Sequence, residues 1–346
     1  MISTYFSGFL STPHYLFMPA TKKTVLSLLA QDILLTLMYY DIFHYPLTKK
    51  EILHCCKIPN INIQEIENEL VILCEFGYIF ENKNFYSLEN KEIHIQKRIE
   101  NNQRAAKMLP IAYKISRFIA HFPYVRATFL SGAISKNVVP PDGDIDFFII
   151  TKPKRLWLSR TLLVMFRRIF LLNSHKYFCI NYFIDEQNLN IADKNLFSAT
   201  EVVYLIPTFG AEYHEKFHSA NAWVRDFFPN FPLKNTEKTP YYKRSWLQSV
   251  GEFCFDNRLG DWLDEWCMKR TIAHRQKKFA HFQKADFEVA LKGKKEVAKH
   301  HPNHFQKRVF EALHQKISHF EQNFDVRFGE NETESSFLLK IWEREG

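Results

Sequence analysis

The feature that most constrains this chain is the passage from Pro140-Pro141-Asp142-Gly143 through Asp144-Ile145-Asp146 into Phe147-Phe148-Ile149-Ile150. A turn-forming cluster delivers two acids onto the start of an apolar run rich in strand-forming residues. Strand residues at i and i+2 share a face, so Asp144 and Asp146 project together, about 7 Å apart along the chain. Ile145 and Phe147, on the other face, anchor the strand in a core. Acids placed side by side raise one another's pKa unless a positive charge lies between them. A hard divalent cation meets that need, and Mg²⁺ held by one or two carboxylates plus substrate phosphates is the common arrangement. The competing structural reading is a pair of exposed turn acids.

Upstream, the apolar run Ala127 to Leu130 ends in Ser131-Gly132-Ala133-Ile134-Ser135-Lys136-Asn137. Only 10 of 346 residues are Gly while 33 are Phe, so a Gly at a turn is unusually informative here. Gly132 lets backbone amides approach phosphate oxygens, and a helix beginning just after it presents further N–H groups. Asp-x-Asp with a Gly-containing turn outlines a site for phosphoryl or nucleotidyl transfer.

This stretch resembles the polymerase-beta-like nucleotidyltransferase superfamily, whose minimal pattern is Gly-Ser, a spacer, then Asp-x-Asp on a strand. Gly132 takes the Gly position and Asp144 follows 12 residues later. The resemblance covers about residues 122–190. Trp157 to Leu171 reads as an amphipathic crossover helix and Tyr177 to Ile184 as the next strand. The resemblance implies Mg²⁺- or Mn²⁺-dependent transfer of a nucleoside monophosphate from an NTP to an acceptor hydroxyl. Asp144 and Asp146 would hold the metal, and Ser131, Gly132, Ala133, Ser135, Lys136 and Asn181 would line the nucleotide. The acceptor (a small molecule, a protein or an RNA) would lie between this domain and the C-terminal region.

Two departures bear on turnover. Ala133 stands where the family has Ser, which leaves Ser131 or Ser135 to supply a hydroxyl. The third carboxylate of the family falls, by the flanking pattern Ile180-Asn181-Tyr182-Phe183, on the neutral Asn181. Asp185 shares its face by parity and is the remaining candidate for the third catalytic acid, about 13 Å further along the strand. Binding of nucleotide and one metal is therefore better supported than turnover. The alternative is a catalytically impaired nucleotide-binding or scaffold protein.

Hydropathy periodicity organises the rest as an α+β chain. In residues 24–90, helices are expected over Thr24 to Tyr40, Lys49 to Cys56 and Ile63 to Phe76. Thr48 and Glu51 form a capping box for the second, and two short runs after Gly77 read as a hairpin. Three helices and a hairpin resemble a winged helix-turn-helix domain. The charges oppose DNA reading by its third helix, since residues 61–76 hold four acids and no Lys or Arg, and phosphate contacts need cations. A connecting helix over residues 91–121 is expected to kink or break near Pro110. Residues 122–210 form the nucleotidyltransferase-like domain with its small mixed sheet, and 211–346 a mainly helical region. The nucleic-acid-binding regulator that a winged helix suggests is the third functional reading.

The net charge is +8, and 12 Lys or Arg face 3 acids between Lys269 and Arg308, a segment suited to an anionic partner or to a solvated helical face. His300, His301 and His304 lie there too, but Pro302 breaks the helical spacing a metal pair would need. Met1 to Ala20 lacks a basic start and is interrupted by Pro13, so a signal peptide is not expected. No apolar run approaches the roughly 20 residues of a membrane span. The six cysteines form no CxxC pair, which fits reduced thiols and a cytoplasmic protein.

Overall fold

A computed structural model of the chain describes residues 24–234, 236, 239, 245–283, 287, 291–300 and 305–328. Met1 to Ala20, His301 and His304 lie outside the described residues, as does part of the basic segment 269–308. The fold mixes helices with a mixed sheet.

The N-terminal elements are α1 (Leu28–Asp41), α2 (Lys49–Cys55), α3 (Ile63–Glu75) and a hairpin of β2 (Phe80–Asn82) and β3 (Phe85–Ser87). The first helix starts later than its periodicity suggests. Thr24–Val25 instead forms β1, paired in parallel with Val326–Arg327 near the C-terminus, and Ser27 caps the helix by accepting from the Ala30 amide. The Thr48–Glu51 capping box is formed in both directions. Asn62 and Glu65 make a second one on α3. Lys83 and Asn84 adopt φ of 53° and 65°, the paired left-handed conformation that closes a two-residue hairpin with the right twist. Helix α1 is buried from Ala30 to Asp41, because α2 and α3 cover one side and later helices the other.

Helix α4 spans Glu92–Ile119 without a break, and Pro110 lies inside it. The expected break does not occur. Pro110 and Ala106, whose carbonyl loses its helical donor, are both solvent-exposed, so the lost bond falls on the solvent side of the helix. On the opposite face Ala105, Met108, Ala112 and Ile119 are packed into the core, which keeps the helix continuous.

The central sheet has the order β7-β4-β5-β6-β9-β8. Its strands are β4 (Val125–Ser131), β5 (Asp146–Thr151), β6 (Cys179–Asp185), β7 (Ile206–Phe209), β8 (Gly293–Lys294) and β9 (Val297–Lys299). β5 and β6 are parallel, joined by the crossover helix α6 (Leu156–Phe170), and the other neighbours are antiparallel. β8 and β9 come from the region expected to be mainly helical, so the sheet extends past residue 210.

One sheet face, with Phe129, Phe148, Ile150 and Ile184, shares a core with α1, α7 (Leu196–Tyr204), α8 (Ala211–Ala220) and α11 (Phe305–Phe324). The other, with Leu130, Phe147, Ile149 and Phe183, packs on α4, α6 and α10 (Arg258–Lys278). Helix α9 (Trp246–Phe255) is held by Glu252, which accepts from the Tyr124 amide at 2.9 Å and from Arg126 at 3.0 Å. The remaining one-turn helix, α5 (Gly132–Ser135), follows β4 directly.

Candidate functional site

Three adjacent strands bring the site together. In register, Ser131 of β4 pairs with Asp146 of β5, and Asp146 pairs with Cys179 of β6. Paired residues project from the same sheet face, so Ser131, Asp146 and Cys179 form a row, with Asp144 just outside the start of β5. Ile145 fixes that start. It is fully buried, its amide donates to the Lys176 carbonyl at 3.0 Å, and its carbonyl accepts from the Cys179 amide at 3.1 Å. The ligating atoms of Asp144, Asp146 and Cys179 all lie within 4.8 Å of one another.

Gly132 is required where it stands. Its φ is +66°, and a Cβ there would fall 2.3 Å from Asp146 Oδ2. The turn backbone is thus pressed against the carboxylate, an approach no other residue type permits. Beyond the turn, Ser135 folds back and donates to the Gly132 carbonyl at 2.9 Å, which commits its hydroxyl. The Ser131 hydroxyl has no hydrogen-bond partner among the described residues, so of the two serines it is the one left to meet a ligand. Ala133 is half-buried and offers no hydroxyl.

Lys136 also reaches the site. Its ammonium donates to the Gly132 carbonyl at 3.2 Å and to Glu201 Oε1 of α7 at 2.8 Å. The Lys136 carbonyl accepts from Tyr45 at 3.0 Å, which ties the turn to the N-terminal helices.

Asn181 and Asp185, the two candidates for the third position, separate cleanly. The β5–β6 register shifts between Phe147 and Phe148, and Asn181 is the extra residue on β6. This bulge aims its side chain at the acid, and Nδ2 donates to Asp146 Oδ1 at 2.8 Å. Asp185 is not brought to the site. It pairs with Thr151 at the opposite end of the strands, and its Oδ1 accepts from the Gln187 amide and Asn188 Nδ2 at 2.9 and 2.8 Å. That carboxylate caps a turn, as an Asx residue does, so the expectation of a catalytic Asp185 is corrected.

The electrostatics follow from this geometry. Burial pushes the Asp146 carboxyl up to about 7, opposed by a hydrogen bond from Cys179 and reinforced by repulsion from Asp144 and Glu201. Burial and the two neighbouring carboxylates push the Cys179 thiol far above its ordinary value, so it remains a protonated donor and not a thiolate ligand. The hard carboxylate oxygens of Asp144 and Asp146 suit a hard divalent cation such as Mg²⁺ or Mn²⁺, and the residues present fit one such ion.

Cys179 and Glu201 were not singled out from the sequence. Cys179 was signalled by parity with Asp146 across the parallel pair. Glu201 had no local signal, since α7 meets the turn only in the folded chain. His300 donates its amide to the Asn181 carbonyl at 3.0 Å, placing β9's end beside the bulge. A second group, Asp41, His44 and His94, also has its ligating atoms within 4.8 Å, but Lys316 already occupies Asp41. No family model matches this sequence, and no curated protein or solved structure matches it.

Proposed function

We propose that the chain is a Mg²⁺- or Mn²⁺-dependent nucleotidyltransferase that moves a nucleoside monophosphate from an NTP to an acceptor hydroxyl, with pyrophosphate leaving. The observation that carries the reading is the packing of the Gly132 turn against Asp146, with Asp144 beside it. Asp144 and Asp146 would hold the cation, which when bound neutralises the phosphates and the acid pair together. The Ser131 hydroxyl and the turn backbone orient the phosphates. Lys136, shared between Gly132 and Glu201, supplies positive charge at the mouth of the turn. In this reading residues 24–90 are a winged-helix-like module that serves contact and packing. Helix α3 contains no Lys or Arg, which disfavours the DNA-reading alternative.

A second reading, a nucleotide-binding protein without turnover, draws on the Asn181–Asp146 hydrogen bond. A neutral amide stands where the family has an acid, and it occupies one Asp146 oxygen. One experiment separates the two. NTP labelled at the α-phosphate is incubated with the protein, Mg²⁺ or Mn²⁺ and a fractionated cell extract as acceptor source. Label transferred by the wild type and not by Asp144→Ala supports the enzyme. Nucleotide binding without transfer, with transfer gained in Asn181→Asp, supports the second reading. Failure to bind any NTP contradicts both.

A further inference from the structure

Three recessed arginines have carboxylate partners. Arg98 reaches Glu51 at 2.6 Å, Arg126 reaches Glu252 at 3.0 Å and Arg155 reaches Asp261 at 2.6 Å. Four arginines on α6 and α10 have none among the described residues. Arg160 and Arg275 both stand over the Trp157 ring, their guanidinium carbons 5.8 and 5.9 Å from its centroid. Arg167 and Arg168 follow two turns along α6. Arg275 and Arg167 are only 3% and 8% exposed, yet among the described residues none of the four has a carboxylate partner.

Donors are left over as well. Arg275 uses Nη1 on the Leu291 and Lys299 carbonyls, while its Nη2 is buried without a partner. Arg167 uses Nη1 on His175 Nδ1 at 3.1 Å, while its Nε is buried without a partner. Arg160, half-buried, makes no hydrogen bond among the described residues. The other three arginines repel Arg160 and, with burial, lower its proton affinity. Buried charge without a counter-charge is strongly unfavourable. Orphaned guanidinium donors in a fork geometry are the complement of a phosphoryl group.

We propose that Arg160, Arg167 and Arg275 form a metal-independent binding site for the phosphoryl groups of a small phosphorylated ligand. Arg275 and Arg167 are buried, Arg160 is half-buried and Arg168 is exposed, a graded burial that suits a small ligand and not a duplex backbone. Arg167 links the arginine cluster to the carboxylate site through His175, whose Nδ1 is 3.8 Å from Cys179 Sγ. The proposal holds whether or not the carboxylate pair is catalytic.

The test uses the full chain in EDTA, with inorganic phosphate and pyrophosphate as probes in calorimetry and thermal melting, and NaCl at matched ionic strength as control. The expected result is pyrophosphate binding and a raised melting temperature without metal. Arg160→Met and Arg167→Met should each weaken binding roughly tenfold, the scale of one charge-assisted hydrogen bond. Arg160→Lys keeps the charge but loses the fork, so it should lie between them and the wild type and serves if a methionine variant misfolds. No effect beyond NaCl, or equal binding by the wild type and both methionine variants, would overturn the proposal. So would stabilisation by single-stranded RNA with none by pyrophosphate, which would make the arginine cluster a nucleic-acid surface.

Discussion

Replacing Asp146 by Asn should stabilise the ligand-free protein, and the gain should grow with pH in a defined window. The carboxyl is raised from 3.8 to about 7 by burial and by its acidic neighbours. A carboxyl whose folded pKa lies above its unfolded value favours folding when protonated. Its stabilisation is complete below the unfolded pKa and is lost as pH rises through the folded one. Each pKa unit corresponds to about 1.4 kcal/mol. Between pH 4 and pH 8 the wild type should therefore lose on the order of 3–4 kcal/mol that Asp146→Asn does not lose. The amide is isosteric and can turn its oxygen to the Asn181 donor, so the comparison isolates charge. Urea unfolding of both proteins at half-unit pH steps measures the difference. Curves that run parallel across the window would refute the buried, ligand-poor acid on which the metal argument rests.

Other consequences are accessible by simple substitutions. Gly132→Ala forces a left-handed residue and a Cβ onto the Asp146 carboxylate, so it should cost about 1–3 kcal/mol and abolish nucleotide binding, read by denaturation and calorimetry. Asp185→Ala removes the acceptor of two turn hydrogen bonds and should cost about 1–3 kcal/mol while leaving nucleotide affinity unchanged. Mn²⁺ affinity, followed by electron paramagnetic resonance, should rise about tenfold per pH unit below pH 7 and then level off, since binding must displace the Asp146 proton. Asp146→Asn should show no such slope.

The parts of the fold legible in the sequence were those written in local chemistry. The Thr48–Glu51 box, the stop at Gly77 and the acids before Phe147 each depend on residues a few positions apart, and each lies where local rules put it. Pro110 does not end α4, because packing on the buried side of the helix outweighs one backbone bond lost on its exposed side. β8 and β9 were missed because they are two and three residues long and mostly charged or small. β9 is defined by pairing with β6, more than a hundred residues away, and β8 by pairing with β9. The site divides in the same way. Asp144, Asp146 and Gly132 came from spacing, whereas choosing between Asn181 and Asp185 needed a bulge that strand parity alone does not encode. Parity along a regular strand puts both residues on one face, but the register places them at opposite ends of the β5 pairing.

The central claim is that Asp144 and Asp146 hold a divalent cation together with a nucleotide. Thermal melting of the purified chain with each of the four NTPs, with and without Mg²⁺ or Mn²⁺, tests it most directly and requires no knowledge of the acceptor. A ligand at about 100 times its Kd adds roughly 2.7 kcal/mol to stability. The account predicts an upward shift that needs both metal and nucleotide and vanishes in Asp144→Ala. No shift with any NTP in the presence of either metal, or an equal shift in Asp144→Ala, would contradict it.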